Sequence, residues 1–131
     1  MRIYLDENLS KYIAEALNLL NKVQFPNIEV FSTIEIFGRG VPDEDLIPKI
    51  GNEGSMLITR DLNIKKQQLQ YELCKKYNLG IFFLDLPKNQ NKHWDIVKLL
   101  IHNWEEIVQK AGRDKPPFAY QIRSKGKMVK L

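Results

Sequence analysis

The chain has almost nothing with which to bind a soft metal or form a covalent crosslink. Its 131 residues contain one cysteine, Cys74, and two histidines, His93 and His102. A single thiol cannot close an internal disulfide. In a helical stretch such a residue is more often a small buried hydrophobe than a nucleophile, so Cys74 receives no role. The two histidines fall on one predicted helix and point about 180° apart at about 100° per residue, which argues against zinc. No apolar run approaches the roughly 20 residues of a membrane span. Met1-Arg2 leads straight into strand-forming residues instead of a signal peptide, so the expectation is a cytoplasmic protein without a membrane partner. There is no Gly-x-Ser-x-Gly elbow and no Gly-Lys-Ser/Thr phosphate loop, which leaves acyl transfer and nucleoside triphosphate hydrolysis without support.

What is present is carboxylate and apolar strand. With 44% hydrophobic residues, a chain of this length can bury a core without staples, and residues 1–131 read as a single domain. The net charge of +4 is unevenly placed. Residues 113–131 carry Arg113, Lys115, Arg123, Lys125, Lys127 and Lys130 against Asp114 alone, so the basicity belongs to the C-terminal segment. Such a segment suits either attraction to a phosphate backbone or a lysine-rich edge strand that resists aggregation.

The run Met56-Leu57-Ile58 follows the turn residues Gly54 and Ser55, is too short for a helix, and leads into Thr59-Arg60-Asp61. It reads as a buried parallel strand that delivers an acid to its end. Ile3-Tyr4-Leu5 before Asp6-Glu7-Asn8, and Ile81-Phe82-Phe83-Leu84 before Asp85, repeat the pattern. Between them, helical spacing predicts a first helix through Leu9, Tyr12, Ile13, Ala16, Leu17 and Leu20, with Asn8 as N-cap. Ile28 to Phe31 reads as a second strand, Ile34 to Val41 with Gly38-Arg39-Gly40 as a loop near the site, and Pro42-Asp43-Glu44-Asp45 as the start of a short helix that Pro48 should kink. Residues 63–77 predict a helix with Ile64, Leu69, Leu73 and Tyr77 as a loose apolar stripe. Trp94 to Ala111 predicts a long amphipathic helix ended by Gly112, with both tryptophans in the core. Phe118, Tyr120 and Ile122 alternate and Ser124 to Lys127 turns the chain back, as an edge hairpin does. The order is that of an α/β protein with three α/β/α layers around a mostly parallel sheet.

In such a sheet, ligands sit outside the carboxyl ends of the strands, where parallel neighbours would bring Asp6 and Asp61 together. Any one of these aspartates is explained by turn capping, and the acids of the middle helix by its dipole. Three strand ends and an acidic helix start point instead to a site. Several carboxylates in one cleft repel one another, and Mg²⁺ or Mn²⁺ relieves that repulsion while serving phosphodiester hydrolysis.

At Leu5-Asp6-Glu7-Asn8-Leu9, Gly40-Val41-Pro42-Asp43-Glu44-Asp45 and Ile58-Thr59-Arg60-Asp61 the chain resembles the PIN-like nucleases, in particular compact proteins grouped with VapC-type toxins of toxin–antitoxin pairs. The likeness covers roughly residues 1–85. It implies a Rossmann-like fold and a Mg²⁺- or Mn²⁺-dependent endoribonuclease, with Asp6, Asp61 and either Asp43 or Glu44 as the catalytic and metal-binding acids. Glu7 would support them, and Thr59 would orient a carboxylate or a water. Family members often place a further acid where this chain has Asn63, so a second metal would require Asp85 or Asp45 instead. Arg60, Lys65 and Lys66 would hold substrate phosphates. The implied partners are RNA and a cognate antitoxin protein, and a homodimer is compatible with the reading. The rivals are a PIN-like scaffold that binds RNA or protein without cleaving, and a phosphatase acting through Asp6, which the amide at Asn8 disfavours.

Overall fold

A computed structural model describes residues 1–60, 63–125 and 127–131. In chain order the elements are β1 (Arg2–Leu5), α1 (Lys11–Gln24), β2 (Glu29–Ser32), α2 (Thr33–Phe37), α3 (Asp43–Asn52), β3 (Met56–Thr59), α4 (Ile64–Tyr77), β4 (Gly80–Asp85), α5 (His93–Arg113), β5 (Phe118–Arg123) and β6 (Val129–Lys130). The strands form one sheet in the order β2-β1-β3-β4-β5-β6. The first five are mutually parallel, and β6 pairs antiparallel to β5 as the return arm of the expected hairpin.

Alternation along the strands sorts side chains onto two faces. Ile3, Leu5, Met56, Ile58, Phe82 and Leu84 pack with α1 and α5. Tyr4, Leu57, Ile81, Phe83 and Ala119 pack with α3 and α4. The three layers expected from the sequence are therefore present. The order also contains a switch point: the chain leaves β1 for β2 on one side and returns as β3 on the other, so β1 and β3 are neighbours whose connections diverge. A crevice opens at the carboxyl ends of such a pair.

Several local expectations need correction. Ser10 caps α1, its Oγ accepting from Tyr12 N at 3.2 Å. Asn8 instead donates through Nδ2 to the Arg60 carbonyl at 2.9 Å, a cross-strand tie that removes it from the capping role. Part of the presumed loop before Val41 is the short helix α2, whose Phe37 ring packs 5.5 Å from that of Tyr4. Of the kink or restart expected at Pro48, the restart is absent, since α3 runs on through the proline. The proline leaves one backbone acceptor of the first turn without its intrahelical donor, while burial of Leu46, Ile47 and Ile50 holds the helix on the sheet. Trp104 is core, and its Nε1 donates to Asn21 Oδ1 at 2.8 Å. Trp94, by contrast, is 67% exposed. With Tyr12, Leu20 and Ile101 it leaves an apolar strip between α1 and α5. Among the described residues no helix is long and apolar enough to cross a membrane.

Gly51 sets how closely α3 approaches the end of α4. A Cβ there would stand 2.4 Å from the Tyr77 carbonyl oxygen, a backbone atom that cannot swing away. Gly51→Ala is expected to destabilise the protein by about 1–3 kcal/mol, read from the denaturant midpoint. An unchanged midpoint would show that the two helices can part without cost.

Candidate active site at the β1/β3 switch point

Asp6 follows β1 directly, and its backbone N continues the ladder by donating to the Ile58 carbonyl at 3.0 Å. Alternation places it on the same face as Tyr4, and Thr59 on the same face as Leu57. Because Leu5 and Ile58 are register partners, Asp6 and Thr59 stand side by side. The Thr59 hydroxyl donates to Asp6 Oδ2. Arg60 N also donates to Oδ2 at 3.2 Å, and Asn8 N donates to Oδ1 at 3.1 Å. A carboxylate oxygen offers two lone pairs, so Oδ2 is fully used and Oδ1 retains one. The group is 7% exposed. Burial pushes its pKa up to about 6, although the three hydrogen bonds and the nearby Lys66 charge each favour the ionised form.

Around this carboxylate is a cavity of about 20 Å³, lined among others by Glu7, Asn8, Asp43, Lys66 and Gln70. Glu7, Val41, Asp43 and Lys66 also line a broader outer cleft of about 410 Å³, where Glu44, Asn63 and Lys65 join them. The outer cleft thus carries both acids from the start of α3 and lysines from the start of α4. Glu7 Oε2 accepts from Gly40 N at 2.9 Å, which fastens the glycine loop to the site. Gly40 has φ +76°, a conformation that L side chains rarely adopt.

The sequence-derived residues divide accordingly. Asp6, Glu7, Asp43, Glu44, Asn63, Lys65 and Lys66 line one or both of these spaces, and Thr59 lies beneath them, holding Asp6. Asp61 lies outside the described residues. Arg60 lines neither space and serves Asp6 through its backbone. Asn63 Oδ1 caps α4, accepting from Lys65 N at 3.0 Å and Lys66 N at 3.3 Å. Neither Asp85 nor Asp45 takes the supporting place expected of it. Asp85 ends β4 and accepts from Gln121 Nε2 at 2.9 Å, on the far side of β4 from β3. Asp45 is exposed on α3 and lines neither space.

Sequence reasoning missed Gln70. Its Nε2 donates to Thr59 Oγ1 at 3.2 Å, which makes a chain from Gln70 through Thr59 to Asp6. The available signal was positional: Gln70 shares a helical face with Leu73 and Cys74, the buried residues of α4. Cys74 is the buried small residue expected, its thiol pushed up to about 11 by burial.

The family model described as PIN like domain matches residues 1–86, which include β1, α3, β3 and every residue of the cleft. The chain belongs to the PIN-like domain family. Neither the curated proteins nor the solved structures returned a match. The parallel sheet and its helices agree with a PIN-like fold, which is nuclease-type and typically employs divalent metals. The donors facing the cleft are oxygens, the ligands that Mg²⁺ and Mn²⁺ favour. Gln70 Oε1 is moreover a buried oxygen without a hydrogen-bond partner among the described residues. In kind, therefore, the donor set fits a hard cation. Among the described residues no group of three or more His, Cys, Asp or Glu side chains is close enough to hold one.

The Asp6 environment sets a pH dependence. The folded state binds this proton more tightly than the unfolded chain does, so the contribution is full below about pH 4 and is lost as pH rises to about 6. It amounts to about 3 kcal/mol. Urea unfolding in EDTA between about pH 4 and pH 8 should show wild type losing stability relative to Asp6→Asn as pH rises. A difference that stays constant with pH would mean that the carboxylate is not held in a poorly solvated place.

Proposed function

We propose that this PIN-like protein is a divalent-metal-dependent endoribonuclease. The observation that carries the reading is a buried carboxylate, Asp6, at the β1/β3 switch point, next to an open cleft lined by acids of α3 and lysines of α4. Asp6, Asp61 and Glu44 would hold Mg²⁺ or Mn²⁺, with Asp43 and Glu7 beside them. The bound ion would supply Lewis-acid stabilisation of phosphate oxygens and lower the pKa of a water. The chain's own part is positioning. Thr59 and two backbone N–H groups fix Asp6, and Asn63 fixes the start of α4, from which Lys65 and Lys66 face the outer cleft. Lysines beside a helix N-terminus suit the phosphates of an RNA strand.

The finer reading, a toxin whose cognate antitoxin covers this cleft, is supported by the resemblance of the three motifs to VapC-type proteins. A homodimer is supported by the apolar strip between α1 and α5. The alternative of a binding scaffold is favoured by one observation, the use of the Asn63 oxygen as a helix cap where many relatives carry an acid. Pro48 lends that alternative nothing, since α3 is continuous.

Cleavage of a mixed RNA pool with Mn²⁺, with and without EDTA, tests the proposal. Wild type should cut only with metal, and Asp6→Asn and Asp61→Asn should each lose roughly a hundredfold or more in rate. Failure of the folded wild type to cut across several RNAs and metals would favour the scaffold. Lys65→Ala and Lys66→Ala should weaken RNA binding without regard to sequence, each lowering the salt dependence by about one counterion. Sequence-dependent losses would argue against phosphate contacts at these positions.

A further inference from the structure

Gln70 is 1% exposed, and among the described residues only its side-chain nitrogen has a partner. Its orientation is fixed by chemistry. Thr59 has one hydroxyl proton and gives it to Asp6 Oδ2, so toward Gln70 it can only accept. Nε2 therefore faces Thr59, and Oε1 is the atom left over. A buried carbonyl without a donor is unfavourable, and such an atom calls for an occupant. The adjoining cavity of about 20 Å³ has room for one water or one small ion, since a water needs about 10–15 Å³. Asp6, Glu7 and Asp43 on the same walls give that space an acidic lining, with Lys66 the one basic side chain among its residues. The amide that caps α4 differs, because Asn63 Oδ1 accepts from two backbone N–H groups.

We propose that Gln70 Oε1 is a neutral oxygen donor in the coordination shell of a divalent cation held at Asp6. This rests on the metal-dependent reading of the cleft and adds a ligand to it from the middle of α4. A neutral amide contributes an oxygen without a further negative charge, so the site sacrifices affinity while limiting repulsion around Asp6.

Calorimetric titration with MnCl₂ separates the alternatives, using wild type, Gln70→Leu, Gln70→Glu and Asp6→Asn, each checked for folding by circular dichroism. Gln70→Leu should weaken Mn²⁺ binding by roughly tenfold or more. Gln70→Glu should tighten it, and Mn²⁺ should raise the melting temperature of this variant more than that of wild type. A glutamate cannot donate to Thr59, so if Gln70 only positions Thr59 then Gln70→Glu weakens binding, and the proposal is overturned. Wild-type affinity in both Gln70 variants, with binding abolished in Asp6→Asn, would overturn it as well and leave the metal reading standing. Absence of Mn²⁺ binding by folded wild type would remove both. Should Gln70→Leu not fold, the direction of the change in Gln70→Glu still decides.

Discussion

The constraint on which the rest of this molecule depends is the placement of one carboxylate in a poorly solvated position. Asp6 is buried at the end of β1, and its ionised form is disfavoured by that burial more than its three hydrogen bonds favour it. Each hydrogen bond comes from a residue whose position the fold determines: Thr59 and Arg60 at the end of the neighbouring strand, and Asn8 in the turn after β1. Burying a charge is costly unless it is paired, and a partly satisfied polar group in a core is a source of instability. Here a carboxylate that burial disfavours is placed at a crevice.

The sheet order makes that crevice. With β1 and β3 adjacent and their connections leaving on opposite sides, α3 and α4 meet above one face while α1 and α5 cover the other. Gly51 allows α3 to lie against the end of α4, and the start of each helix then borders the outer cleft. Acids at the start of α3 are consistent with its dipole, and lysines at the start of α4 are not. Local helix energetics therefore does not favour lysines there, and the Lys66 charge acts instead on the Asp6 carboxylate.

Much of this was legible in the sequence because strand ends are written there twice, once as apolar runs and once as the acid that follows. Short apolar runs marked the central strands, whereas the face on which Asp6 and Thr59 meet follows from the register of β1 against β3. The failures have separate causes. Asn8 is as good a cap as Ser10, and only the tertiary bond to the Arg60 carbonyl decides between them. Trp94 keeps helical spacing with Trp104, but no element covers the strip in which it lies. Asp85 copies the pattern of Asp6 at its strand end and yet bonds toward β5, because β3 stands between β4 and β1. Gln70 was invisible because an amide in a helix rich in Lys and Gln reads as surface until its burial is known.

The apolar strip of Tyr12, Leu20, Trp94 and Ile101 belongs to the layer formed by α1 and α5, whereas the cleft belongs to the layer of α3 and α4. The sheet stands between them. A macromolecule seated on the strip would leave the cleft uncovered. A ligand of the cleft, by contrast, must touch α3 or α4. The two layers thus allow each surface to be occupied without covering the other.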